Sequence, residues 1–187
     1  FYNLSKHGVL VKLDVSRFTI PHARNMKTHG FGVRVPETHY LLAAKLSSLA
    51  IGTVGRLEKE PLQVIKDVFD IDCLLASSPP LEKMGEDWRL VIEDQNRLRG
   101  TNFRETPCLE STERTLLECI APSPPFAIQP SALGNFEQYL VEGRLPRVAF
   151  VTMAAKSLLL LTAMGDRFYE LERLSREEAT DKNKLDE

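Results

Sequence analysis

The stretch PETHYLLAAKLSSLAIG at residues 36–52, followed by PLQVIKDVFDIDCLLAS at residues 61–77, decides how the first half of the chain folds. In the first stretch a proline and a glutamate open a helical pattern, and Gly52 closes it. Its apolar stripe is formed by Leu42, Leu46 and Leu49, with Ala43 and Ala50 beside them. This spacing predicts an amphipathic helix that carries Lys45 on the flank of its apolar face.

The second stretch predicts another helix, which begins at Pro61. Its apolar residues recur at helical spacing, at Val64, Val68, Ile71 and Leu75. Asp67 and Asp70 lie off this stripe, three positions apart and on the same side of the helix. Both helices therefore set charge beside an apolar face, a pattern that fits a chemical site and equally fits two helices with solvated edges.

The segment GVLVKLDVS at residues 8–16 alternates between apolar and polar side chains. This period of two predicts a half-buried strand with Asp14 on its polar face, and shorter strands are expected near residues 18–20 and 32–35. A carboxylate on an open strand face suits Mg²⁺, which prefers oxygen ligands. The strand pattern alone favours a merely solvated Asp14.

Beyond the break SSPP at residues 77–80, the pattern is helical at about residues 81–99, 109–120, 132–142 and 146–174. A proline-rich connector near residues 121–131 interrupts it. The break at SSPP and the helical pattern beyond it predict two domains, residues 1–78 and 79–187. The longest apolar run begins at Val148 and holds Lys156 in its middle, so we interpret it as a buried bundle helix and expect no membrane partner.

The net charge of −2 is the sum of a basic first third and an acidic remainder of the chain. Residues 1–66 hold ten Lys and Arg against four acids, and the remainder holds 14 against 22. A basic first third attracts a polyanion such as a nucleotide or RNA, whereas complementarity between the two halves of the protein explains the asymmetry equally well.

Zinc and disulfide chemistry are not indicated. The three cysteines form no CxxC pair, and the four histidines, His7, His22, His29 and His39, lack a zinc spacing. We expect satisfied or exposed histidines and a reducing, cytoplasmic setting. The chain begins with Phe and has no visible secretory leader, which indicates a fragment or a processed product.

Three short segments, KLDVS at 12–16, AAKLSSLA at 43–50 and KDVFDIDCLL at 66–75, occur in this order, with Asp67 22 positions after Lys45. In this order the segments resemble the latter part of the AbiEii-type nucleotidyltransferases, a toxin branch of the polymerase-beta-like superfamily. The resemblance covers about residues 8–76. It implies an α+β fold, in which part of a nucleotidyltransferase-type sheet with its helices precedes a mostly helical domain.

The resemblance also implies roles for individual residues. Asp14 would be the third metal-binding carboxylate, for Mg²⁺. Lys45 would contact the nucleotide phosphates or act in catalysis, and Asp67 would orient Lys45 or assist proton transfer. Lys66 stands where the family has an arginine and would bind substrate. The implied reaction transfers a nucleotide from an NTP to an acceptor such as tRNA, and the implied partner is a cognate antitoxin. Independently of the resemblance, a basic loop with Arg17, Arg24, Lys27 and Arg34 could line a path for RNA or triphosphate, and a plain solvated loop explains these residues at least as well.

The family's Gly-Gly/Ser turn and Asp-x-Asp strand do not precede Asp14 in this chain. The sequence DID at residues 70–72 lies in a helical pattern and does not replace them. The enzyme hypothesis therefore expects an Asp-x-Asp segment upstream of residue 1. The alternative hypothesis is a truncated or degenerate module that binds protein or nucleic acid without catalysis.

Overall fold

The computed structural model describes residues 2–4, 9–11, 26–28, 34–58, 60–77, 79–121, 130–140 and 144–165. Four short strands come first: β1 (Tyr2–Leu4), β2 (Val9–Val11), β3 (Met26–Thr28) and β4 (Arg34–Pro36). The helices that follow are α1 (Thr38–Ser48), α2 (Pro61–Leu75), α3 (Met84–Arg99), α4 (Glu105–Ile120), α5 (Pro130–Glu137) and α6 (Arg147–Gly165), with a 3₁₀ turn at Leu81–Lys83 before α3.

The predicted α+β class with a nucleotidyltransferase-type sheet is wrong, because the described part of the chain is mostly helical. Its strands form two separate antiparallel pairs: Tyr2 faces Val11 in β1–β2, and Met26 faces Pro36 in β3–β4. Alternation along residues 8–16 specifies only a local extended segment. A larger sheet needs further strands paired beside it and helices whose apolar faces pack on it. In the described residues the helices bury their apolar faces against one another instead.

Helix α1 lies at the centre of the helical assembly, where it packs against α2, α3 and α4. Its predicted apolar stripe is fully buried. The helix ends at Ser48, four residues before the predicted stop, and residues 49–55 continue as turns in which Leu49 and Ala50 remain buried. Burial of α1 on several sides fixes the direction in which Lys45 leaves the helix.

Helix α2 begins at Pro61, as predicted, since a first-turn proline forfeits no intrahelical hydrogen bond. Val64, Val68 and Ile71 of its predicted stripe are buried, and Leu75 is half-buried. Asp67 is buried as well, although it lies off the stripe. This burial places a carboxylate in the α1–α2 contact.

Helices on both sides of residue 78 contribute to one hydrophobic core, which includes Leu46, Trp88, Leu116 and Phe150. The proposed domain boundary at residue 78 stays a prediction. Helix α4 begins four residues earlier than predicted, and α5 ends at Glu137. The connector at residues 122–129 and the tail from residue 166 lie outside the described residues.

Helix α6 is long and apolar enough to cross a membrane by length and composition. One side of it lies in the core through Phe150, Ala154 and Met164. Its Lys156 Nζ donates to Asp72 Oδ1 of α2 at 2.8 Å. About a third of the apolar window is buried, and one such helix is weak evidence for a membrane span because core helices of soluble proteins pass the same test of length and composition.

Candidate functional site

Lys45 and Asp67, which the sequence pattern singles out together, are in contact. Lys45 Nζ lies 3.4 Å from Asp67 Oδ1, across the interface of α1 and α2. The two residues are 22 positions apart, and the packing of α2 against α1 after the loop at residues 49–60 brings them together. Their contact is a feature of the tertiary fold, and the catalytic roles assigned to them stay predictions.

Asp67 also holds a second cation. Its side chain accepts a hydrogen bond from Arg56 Nη2 at 3.1 Å, and Arg56 Nη2 lies 3.3 Å from Gln63 Oε1. Asp67 is only 2% exposed, whereas the Lys45 and Arg56 side chains are each 35% exposed. A buried carboxylate needs such partners to offset its lost hydration. Asp67 thus fixes two cations whose charged groups remain partly open to solvent.

Lys45 has a third neighbour in Asp70, whose Oδ2 lies 2.6 Å from Nζ. Burial lowers the pKa of the Lys45 ammonium, but the hydrogen bonds and charges of Asp70 and Asp67 outweigh burial and leave that pKa above its usual value. Lys45 is therefore charged at neutral pH. In that state it can attract an anion but cannot serve as a general base.

The loop between α1 and α2 positions Arg56. Gly52, at φ +75°, donates its backbone N–H to the Arg56 carbonyl at 2.8 Å, and Gly55 donates to the Ala50 carbonyl at 3.0 Å. Arg99, at the end of α3, donates to the Gly55 carbonyl. These bonds tie the loop to α1 and α3 and so hold Arg56 against Asp67.

A Gly55→Ala substitution is expected to lower the free energy of unfolding by about 1–3 kcal/mol, as overpacking does. The added Cβ would lie 2.6 Å from the Ala50 carbonyl oxygen and 2.8 Å from that of Ser47, so backbone must shift. Urea unfolding followed by circular dichroism measures the loss. Gly85→Ala in α3 is the matched control, because its Cβ meets nothing within 4 Å and should stabilise by about 0.4–1 kcal/mol. Equal stability of the two variants would contradict the tight packing of the loop.

The other predicted site residues are placed only in part. Lys66 is exposed on α2, next to Asp67 in sequence. Asp14 and Arg17 lie outside the described residues, so the predicted magnesium ligand stays a prediction. Within the described ranges, no group of three or more His, Cys, Asp or Glu side chains could hold a metal ion.

A second polar cluster joins the start of α1 to α3. His39 is buried; its Nδ1 bonds Asp87 Oδ2, and its Nε2 lies 2.5 Å from Glu37 Oε2. His39 is thus a satisfied core histidine, as expected from the sequence; the other three histidines lie outside the described residues. About two turns further along α3, Asp94 accepts a hydrogen bond from Tyr40 at 2.9 Å, and burial together with Asp94 raises the Tyr40 pKa. Both contacts lock α1 onto α3.

Arg56 is the member of the site that the sequence did not reveal. The available signal was a cation in the short loop just before the helix that carries Asp67, but a loop arginine is ordinarily solvated. Comparisons of the chain with protein-family models, with curated proteins and with solved structures found no match. The site is therefore interpreted from its own geometry and from the motif resemblance.

Proposed function

We propose that this protein is an AbiEii-like nucleotidyltransferase, which transfers a nucleotide from an NTP to an acceptor such as tRNA with the aid of Mg²⁺. The observation that carries the proposal is the contact of Lys45 with Asp67, joined by Arg56. The motif resemblance predicts that such an acid orients the lysine or assists proton transfer. The resemblance also suggests a toxin with a cognate antitoxin in the cytoplasm.

The chemistry of nucleotidyl transfer suits these side chains. Negative charge develops on the leaving pyrophosphate, and prepositioned cations stabilise it. Lys45 stays charged and partly exposed, and Arg56 presents a second partly exposed cation. Asp67 acts as a positioning residue, since it holds both cations and is itself buried. Ordering these groups before the reaction removes the need to reorganise them during it.

In this proposal Asp14 binds Mg²⁺, which would neutralise phosphate charge and orient the phosphates. Arg17 and Lys66 contribute positive charge toward the same substrate.

Transfer of label from each of the four α-³²P NTPs to total tRNA, with and without Mg²⁺, tests the function. Lys45→Ala should lower the Mg²⁺-dependent rate by about 10²–10³-fold, as the loss of one electrostatic donor does. Lys83→Ala removes an exposed lysine before α3 and should leave the rate unchanged. Absence of transfer by the native gene product purified from its source cells, or equal rates in the Lys45 and Lys83 variants, would overturn the proposal.

A second candidate function is a module that binds protein or nucleic acid without catalysis. It is favoured by the basic first third of the sequence, in which residues 1–66 hold ten Lys and Arg against four acids. Mg²⁺-dependent NTP binding that is lost in Asp14→Ala and Lys45→Ala supports the enzyme. RNA or protein binding that is unchanged in both variants supports the module.

A further inference from the structure

A pocket of about 400 Å³ lies between α2 and the end of α5, beside the Lys45–Asp67 site. This volume falls in the range of small-ligand sites, which are mostly apolar with a few placed polar groups. Here two leucines and three aromatic residues make the apolar lining, and Gln63, Lys66 and Asp70 make the polar part. The mixture suits a ligand with a flat ring at one end and charge at the other.

The aromatic side of the pocket is a row of three rings. The centroids of Phe69 and Phe136 are 5.3 Å apart with the rings tilted by 58°, and those of Phe136 and Tyr139 are 6.4 Å apart with a tilt of 35°. Phe136 is buried and supports the row, whereas Tyr139 is 72% exposed. Tyr139 therefore presents a ring on which a planar ligand can stack.

The polar side of the pocket joins the site described above. Asp70 lines the pocket and pairs with Lys45, and Gln63 lines it and contacts Arg56. Lys66 adds a third cation directly in the lining. Three cations against the two carboxylates Asp67 and Asp70 leave an excess of one positive charge at this edge, which favours an anionic group.

We propose that this pocket binds the base of a nucleotide, with Tyr139 stacking on the base and the phosphates directed toward Lys45, Arg56 and Lys66. A nucleotide is the ligand class that combines a planar ring with adjacent negative charge. This inference rests on the proposed function and adds the side chains that hold the base. The same base–phosphate chemistry occurs in a free NTP and in the terminal nucleotide of an RNA, and the probes below separate the two.

Equilibrium binding of ATP, CTP, GTP and UTP, of inorganic triphosphate and of an RNA trinucleotide tests the inference by calorimetry. Tyr139→Leu removes the ring but keeps apolar bulk, and should weaken binding of the preferred NTP about tenfold, as loss of one base–aromatic stack does. Tyr139→Phe keeps the ring and should bind like the unmodified chain. Leu159→Ala removes another exposed apolar side chain, on α6, and should have no effect. Inorganic triphosphate should bind equally to all four.

Each outcome decides between the pocket and the transferase. Lys45→Ala should weaken triphosphate binding, a loss that Tyr139→Leu does not share. NTP binding that depends on the Tyr139 ring without any transfer to tRNA supports the pocket and overturns the transferase. If transfer to tRNA occurs but Tyr139→Leu binds the NTPs and the trinucleotide as well as the unmodified chain does, the pocket proposal is overturned and the transferase proposal stands. If only trinucleotide binding depends on the Tyr139 ring, the pocket holds the terminal nucleotide of the acceptor RNA. If neither the NTPs nor the trinucleotide binds, the inference is overturned.

Discussion

Trp88→Ala is expected to lower the free energy of unfolding by about 3–5 kcal/mol, the usual loss for a buried aromatic side chain. Trp88 is 0% exposed and is the largest fully buried side chain of the described residues. It lies on α3, the helix that packs most extensively against α1. Its removal leaves a cavity beside the helix that carries Lys45, and urea unfolding at neutral pH measures the cost.

Trp88→Phe is the matched variant. Among the described residues the Trp88 indole N–H has no hydrogen-bond partner, and burying such a donor is unfavourable. Phenylalanine retains most of the ring and removes that donor, so it should cost less than half of the alanine loss. An alanine loss below about 1 kcal/mol, the range of surface substitutions, would contradict the buried position of Trp88.

The helices could be predicted where local sequence signals, such as a first-turn proline or apolar residues at helical spacing, specify them. Pro61 and the stripe of α2 follow from spacing and first-turn chemistry, and both are confirmed. The end of α1 was misplaced because Leu49 and Ala50 continue the apolar pattern while the backbone already turns. The sheet failed for another reason: alternation at residues 8–16 specifies an extended segment but not the strands that would have to lie beside it.

The order of the short motifs in the sequence pointed to Lys45 and Asp67, but it could not predict the other side chains of the site. The Lys45–Asp67 contact agrees with a motif order in which two helices follow one another closely. Arg56 reaches Asp67 only because turns at Gly52 and Gly55 direct its loop, and no periodicity expresses that. Phe136 lies 67 positions after Phe69, so the pocket between them depends on how α5 docks on α2.

His39→Ala is expected to destabilise the protein by about 3–5 kcal/mol at pH 7, the loss typical of a buried charge that is deprived of its partner. Both ring nitrogens of His39 lie at hydrogen-bond distance from acidic side chains, Nδ1 from Asp87 and Nε2 from Glu37, so His39 is the hydrogen-bond partner of the buried Asp87. Asp87 is 4% exposed. Without His39 its carboxylate remains buried between α1 and α3 and loses the group that offsets its desolvation.

The stability of His39→Ala relative to His39→Ala/Asp87→Asn should rise as the pH falls, and this dependence separates an unpaired buried charge on Asp87 from lost packing. Burial raises the pKa of Asp87, while the hydrogen bond and charge of His39 lower it, so the variant has the higher Asp87 pKa. A folded state with a raised carboxyl pKa takes up a proton before the unfolded chain does. His39→Ala therefore regains stability relative to the double variant, which lacks this carboxyl, as the pH falls from 7 toward that pKa. Urea unfolding at pH 7 and pH 5.5 measures the change.

Asp87→Asn in the His39→Ala background is the control, because it removes the buried charge without removing the side chain. The double variant should be more stable than His39→Ala alone at pH 7, and its stability should no longer recover in acid through this carboxyl. A stability difference between the single and double variants that is the same at both pH values, or a double variant less stable than the single one, would show that His39 acts through packing. In that case α1 and α3 would be held together by Trp88 and its apolar neighbours, with no contribution from the charged cluster.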